Sequence, residues 1–88
     1  MKTSFRKSFL RDLKKLKNPR IRAQVGAAIR AVEQAETLGE VPSVKKMSGG
    51  GGYYRVRIGD YRIGIAVKGE DVDFVRVLHR KDIYRYFP

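Results

Sequence analysis

The stretch from Tyr53 to Val67 most narrows the folds open to this chain. Two apolar-alternating segments, Tyr53 to Ile58 and Tyr61 to Val67, are separated by Gly59-Asp60. A two-residue, glycine-containing connection between such segments is a strong signal of a β-hairpin. The loop length sets the register: Ile58 opposite Tyr61, Arg57 opposite Arg62, Val56 opposite Ile63 and Arg55 opposite Gly64. Side chains alternate faces with period two, so Tyr54, Val56, Ile58, Tyr61, Ile63, Ile65 and Val67 share one apolar face. The other carries Tyr53, Arg55, Arg57, Arg62, Gly64 and Ala66.

Like charges directly opposite one another weaken a sheet, and stability alone favours an acid across from Arg57. Arg62 stands there instead. With Gly64 and Ala66 as a small-residue floor, the three arginines form a face that an anion can approach closely. A solvated outer face is the plain alternative for any one of them.

At 88 residues the chain is expected to form one domain, residues 1–88, with room for about one layer of helices on one sheet. Twenty Lys and Arg against nine Asp and Glu give a formal charge of +11 and a pI near 10.4, a balance that favours a polyanionic partner. Nucleic acid and an acidic protein both answer to it. An anionic membrane surface answers to it as well but is the weaker option, because no apolar run approaches the ~20 residues of a spanning helix. Residues 1–10 lack a continuous apolar core of a secretory signal, so the expected compartment is the cytoplasm. With no cysteine there is no disulfide framework and no thiolate ligand or nucleophile.

Phe5, Phe9, Leu13 and Leu16, with Leu10 alongside, mark one stripe of an amphipathic helix whose other face holds Arg6, Lys7, Arg11, Lys14, Lys15 and Lys17. Residues 2–5 are too short to exclude a first strand. Asn18-Pro19 reads as an N-cap followed by proline at the first helical position. From there Ile21, Val25, Ala28, Ile29, Val32 and Ala35 form a second stripe, closed by Gly39 and Pro42. The expected fold is α+β: two N-terminal helices on the apolar face of a small, mainly antiparallel sheet. Residues 40–48 read as a loop. Gly49 to Gly52 lack the Gly-Lys-Ser/Thr and following helix of a phosphate-binding loop, and read as a flexible lead-in.

After the turn at Lys68 to Asp71 comes a third strand, Val72 to Leu78. A simple four-residue loop pairs Val67 with Val72 and leaves Arg76 on the apolar face, whereas a bulge reverses this. Both are open from the sequence. In the simple register Val75, Val77 and His79 share the arginine face, beside Arg57 and Arg62. The ending, Arg80 to Pro88, reads as a short tail in which Tyr84 and Tyr86 stack on bases or anchor the chain, and Phe87 joins the core.

One histidine without cysteine cannot build a metal site, and no serine sits in a nucleophile elbow. Chemistry is left to Arg, Lys, Tyr and His79. Such a set suits cleavage of RNA, which supplies its own 2′-hydroxyl nucleophile: cations stabilise charge developing on the phosphorane oxygens, and one group moves a proton. His79 is the conventional acid–base candidate, with a structural hydrogen bond as its alternative. No cofactor is required.

The run Arg11-Asp12-Leu13-Lys14-Lys15-Leu16, the block Tyr54 to Ile63 and the ending His79-Arg80-Lys81-Asp82-Ile83-Tyr84 together resemble the RelE/ParE superfamily of toxins from type II toxin-antitoxin systems. The resemblance spans nearly the whole chain. For RelE-like members it implies a ribosome-dependent endoribonuclease that cuts messenger RNA in the ribosomal A site, contacts ribosomal RNA and is silenced by a cognate antitoxin protein. Arg55 and Arg57 fall where such toxins carry two basic residues on one strand, one of them often a lysine proposed as general base. Arg62 matches the phosphate stabiliser, Arg80 the proposed general acid and Tyr84 the tyrosine that orients or stacks on the substrate, at a shorter spacing from Arg80 than in some members. Arginine at both 55 and 57 departs from the pattern, because a guanidinium is a poor base; either His79 takes that role or the arginines act electrostatically. The rival readings are a ParE-like inhibitor of DNA gyrase and a non-catalytic RNA-binding or inactivated toxin.

Overall fold

A computed structural model describes all 88 residues. In chain order the elements are β1 (Lys2–Phe5), α1 (Lys7–Lys15), α2 (Pro19–Gln34), a 3-10 turn (Leu38–Glu40), β2 (Val44–Lys46), β3 (Tyr53–Ile58), β4 (Tyr61–Lys68), β5 (Asp71–His79) and α3 (Arg80–Tyr86). The strands form one five-stranded sheet in the order β1-β5-β4-β3-β2. Only the β1–β5 pair is parallel.

The β3–β4 hairpin has the register that its two-residue turn dictates, from Tyr53 opposite Ala66 to Ile58 opposite Tyr61, with Gly59 at φ 59, where a side chain is disfavoured. Its apolar face meets α1 and α2. Phe9, Leu16, Val25 and Val32 pack there on Val56, Ile58, Ile63, Ile65, Phe74 and Val77, the layered α+β arrangement expected from the two stripes. Asn18 caps α2 by accepting from the Arg20 and Ile21 amides, with Pro19 behind it.

Several local expectations are corrected. Phe5 belongs to β1 rather than to the first helix and is partly exposed, although its ring still stacks on Phe74. Leu10 lies outside the buried stripe. α2 stops at Gln34, ahead of Gly39, because the Glu40 carboxylate accepts from the Glu36 and Thr37 amides and draws the chain into the 3-10 turn. Residues 44–46, read as loop, pair with β3 as β2. The run of glycines is tied in at its end, where the Val67 amide donates to Gly52 O at 2.7 Å.

The β4–β5 register has a bulge: Ile65 faces Phe74, but Gly64 faces Arg76, so Val75 is the extra residue. Beyond it every β5 side chain changes face relative to the simple register. Val77 enters the helix-side core, and Leu78 and Val75 lie on the arginine side with Met47, Ile83 and Phe87. α1 runs along the β5 edge that β1 leaves open. There Ser8 Oγ donates to Val75 O, while Asp12 accepts from the Val77 amide and twice from Arg76, at 2.7 and 3.0 Å. The sheet's own edges, β1 and β2, are four and three residues long and carry Lys2, Lys45 and Lys46.

The ending is a helix rather than a tail. α3 crosses the arginine side of the sheet, seating Ile83 and Phe87 against Met47, Val75 and Leu78. Phe87, only 3% exposed, lies over Gly64 so closely that a Cβ there would fall 2.6 Å from its ring. The small-residue floor therefore receives an aromatic ring from the chain itself. The anion-facing surface is confined to the hairpin end of the sheet.

Candidate nucleic-acid interface

Period-two alternation places Arg55 and Arg57 on the α3 side of β3, and the register sets Arg62 of β4 across from Arg57. Arg62 is 9% exposed. Its Nη1 donates to Gly59 O at 2.8 Å and Tyr61 O at 2.9 Å, which clamps the guanidinium to the hairpin turn. Its Nε is buried without a partner. Burial foremost, then the charges of Arg55 and Arg57 and, more weakly, Arg80, lower the pKa of Arg62, while the nearby Tyr84 phenol acts in the opposite sense. A guanidinium so placed remains charged. The positive potential is consequently held in place with no acid to neutralise it.

Arg80 reaches this cluster because its amide donates to Asp60 O at 2.8 Å, pinning the start of α3 to the β3–β4 turn. Tyr84, one helical turn further on, is 61% exposed. Arg55, Arg57, Arg62, Arg80 and Tyr84 are thus brought together. Tyr86 instead lies against the Arg76 guanidinium, 5.9 Å from its ring centre.

His79 does not join them. The bulge turns it to the helix side, opposite Tyr61 in register, with ring centres 5.4 Å apart. Its Nδ1 accepts from the Lys81 amide at 3.2 Å and caps α3. The structural hydrogen bond weighed against an acid–base role is the one present.

Lys45 was missed. It stands on β2 directly across from Arg55 and extends the cationic row by one strand. A three-residue strand has no periodicity to read, and only its partner β3 reveals which way Lys45 faces. Two of the surface depressions contain none of this row, and a third, between α2 and β3, meets it only at Arg57. An open cationic shelf fits an extended polyanion better than a small molecule, which favours an enclosing cleft.

Residues 4–84 match the family model described as the ParE toxin of the type II toxin-antitoxin system parDE. This chain belongs to the RelE/ParE toxin superfamily. Its relatives within that superfamily include Toxin RelE3 of Methanocaldococcus jannaschii, 44% identical over 89 residues and covering all of both chains. Among solved structures, the RelB-RelE antitoxin-toxin complex from Methanococcus jannaschii is 43% identical, with a TM-score of 0.81 over 96% of this chain and 98% of that one. The RelBE2 complex from Mycobacterium tuberculosis is 29% identical, with a TM-score of 0.71 over 90% and 96%. The isolated E. coli RelE toxin, at 16% identity and a TM-score of 0.66 over 98% of each chain, shares the fold. This RelE/ParE protein is therefore a toxin of a type II toxin-antitoxin system. No helix in it is long and apolar enough to cross a membrane.

Proposed function

We propose that this toxin is a ribosome-dependent endoribonuclease acting on messenger RNA without a metal. The observation that carries the reading is the convergence of four arginines and Tyr84 on one open face, around a guanidinium held rigid by two backbone carbonyls. In the reaction the 2′-hydroxyl oxygen attacks the adjacent phosphorus, the bond to the 5′-oxygen breaks, and a 2′,3′-cyclic phosphate and a 5′-hydroxyl are left. Arg55, Arg57 and Arg62 stabilise the extra negative charge on the phosphorane oxygens. Arg80 serves the leaving oxygen, and Tyr84, with an exposed ring, stacks on a base.

With His79 on the opposite face, no conventional base touches the phosphate. Lys45 is the amine beside Arg55, and an amine, unlike a guanidinium, can accept a proton once neutral. The site thus works chiefly by electrostatics. The ribosome and the message are its nucleic-acid partners in this reading, which places it in the cytoplasm. A RelB-type antitoxin, the kind of partner present in the solved relatives' complexes, silences it, and the +11 charge favours an acidic segment in that partner.

The matching family model is that of ParE toxins, and a ParE-like inhibitor of DNA gyrase is the second reading. Brief induction followed by primer extension across messenger RNA separates the two. The expected result is new ends within translated frames that vanish in Arg62→Ala, with the variant's fold checked by its melting curve. Growth arrest with intact messages and accumulating DNA breaks would overturn the nuclease reading.

A further inference from the structure

The catalytic row is split between two elements that pack on each other chiefly at the far end of α3, where Phe87 lies on Gly64 and Tyr53. Arg55, Arg57 and Arg62 ride on the hairpin, whereas Arg80 and Tyr84 ride on α3, a helix of seven residues. A helix this short is marginal alone, and its side of the sheet has a small core of Met47, Ile83 and Phe87 with Val75 and Leu78 against it. What fixes its first turn is therefore decisive for where Arg80 and Tyr84 stand relative to Arg62.

Two donors of that turn have partners outside the helix ladder. The Arg80 amide donates to Asp60 O, and the Lys81 amide donates to His79 Nδ1. The same imidazole packs edge-on to Tyr61, the residue next to Arg62 on β4. The geometry points to His79 as a positioning residue: it couples α3 to β4 from the face opposite the phosphate site, and so sets the Arg80–Tyr84 half of the site against the Arg62 half. The kinetic part of this inference rests on the nuclease reading.

Nδ1 accepts a hydrogen bond only in a neutral ring with its proton on Nε2. A protonated ring would turn a donor toward the Lys81 amide and lose the cap. The other polar groups facing the depression that His79 lines are Asp12 and Lys15 of α1, Lys17 and Asn18 beyond it, Tyr61 of β4 and Asp82 of α3. Their charges are mixed in sign, which leaves the cap itself as the feature most directly lost.

Amide hydrogen exchange of residues 81–84 and cleavage kinetics on programmed ribosomes test this with the full chain, His79→Asn and His79→Phe. Asparagine keeps a capping acceptor; phenylalanine keeps a ring and loses it. Replacing a cap changes helix opening by about five- to tenfold, so Phe should speed exchange by about that factor and lower kcat with KM little changed, while Asn should stay within about twofold of the parent in both. If Asn loses kcat while α3 remains protected, the imidazole itself takes part in the chemistry and the inference fails. Parent-like exchange and kcat in Phe would also overturn it. Should the parent not cleave at all, the nuclease reading falls, and the exchange measurements alone decide the cap.

Discussion

Arg57 and Arg62 face each other where stability alone favours an opposite charge. In a hairpin with a two-residue loop, the first pair beyond the turn-closing residues is non-hydrogen-bonded and brings its side chains closer. The Arg57 amide accordingly turns outward, to Ser43 O at 3.0 Å. Two cations meet at that close pair, where an opposite-charge pair is favoured by about 0.2–1 kcal/mol. Arg57→Gln should therefore raise the melting temperature by about 2–4 °C while lowering cleavage at least tenfold, read from a thermal melt and single-turnover kinetics on the same preparation. Arg62→Lys should behave differently, because an ammonium cannot reproduce the planar clamp on Gly59 O and Tyr61 O. It should lose about 10²-fold in cleavage with no gain in stability.

Among the elements, α1 and α3 differ in what holds them. α1 is bound to the β5 edge through Asp12, whose side chain is 8% exposed and which takes two bonds from Arg76 and one from the Val77 amide. The bonds to Asp12 raise the pKa of Arg76 further above its ordinary value. Asp12→Ala strips all three donors of their acceptor at once and should destabilise the fold by about 3 kcal/mol, a fall of about 12–20 °C in the melting temperature; a change under 4 °C would count against this account of the edge. The sequence made the hairpin register and the Asn18-Pro19 cap legible, because both depend on local backbone chemistry. It left the bulge at Val75 open, since Arg76 is drawn toward an aspartate 64 residues away, and with the bulge went the side of the sheet that His79 faces. β2 and α3 were hidden for a related reason: three and seven residues are too few to display a period, and α3 packs on Met47, far back in the chain. Strand alternation put Arg55, Arg57 and Arg62 on one face and the resemblance added Arg80 and Tyr84 as candidates, whereas the place of Lys45 beside Arg55 depends on β2.

The whole molecule carries its +11 charge on both helix and sheet surfaces, so attraction to RNA is partly general and partly due to the shelf. Salt separates the two. The logarithm of single-stranded RNA affinity falls with the logarithm of salt concentration by about 0.7 for each phosphate neutralised. Replacing Arg55 and Arg57 together with Gln should shallow that slope by about 1.4, measured by a fluorescence titration across salt concentrations. An unchanged slope would mean that RNA is held elsewhere on the surface. The edges of the sheet bear on a different property. An unpaired strand edge is a template for another chain, and a cell that stores such a toxin must keep copies of it from stacking edge to edge. With β1 and β2 so short, and lysines along both, any strand added from a second copy would gain few ladder bonds and meet like charge. A longer, neutral edge would offer more ladder bonds and none of that repulsion.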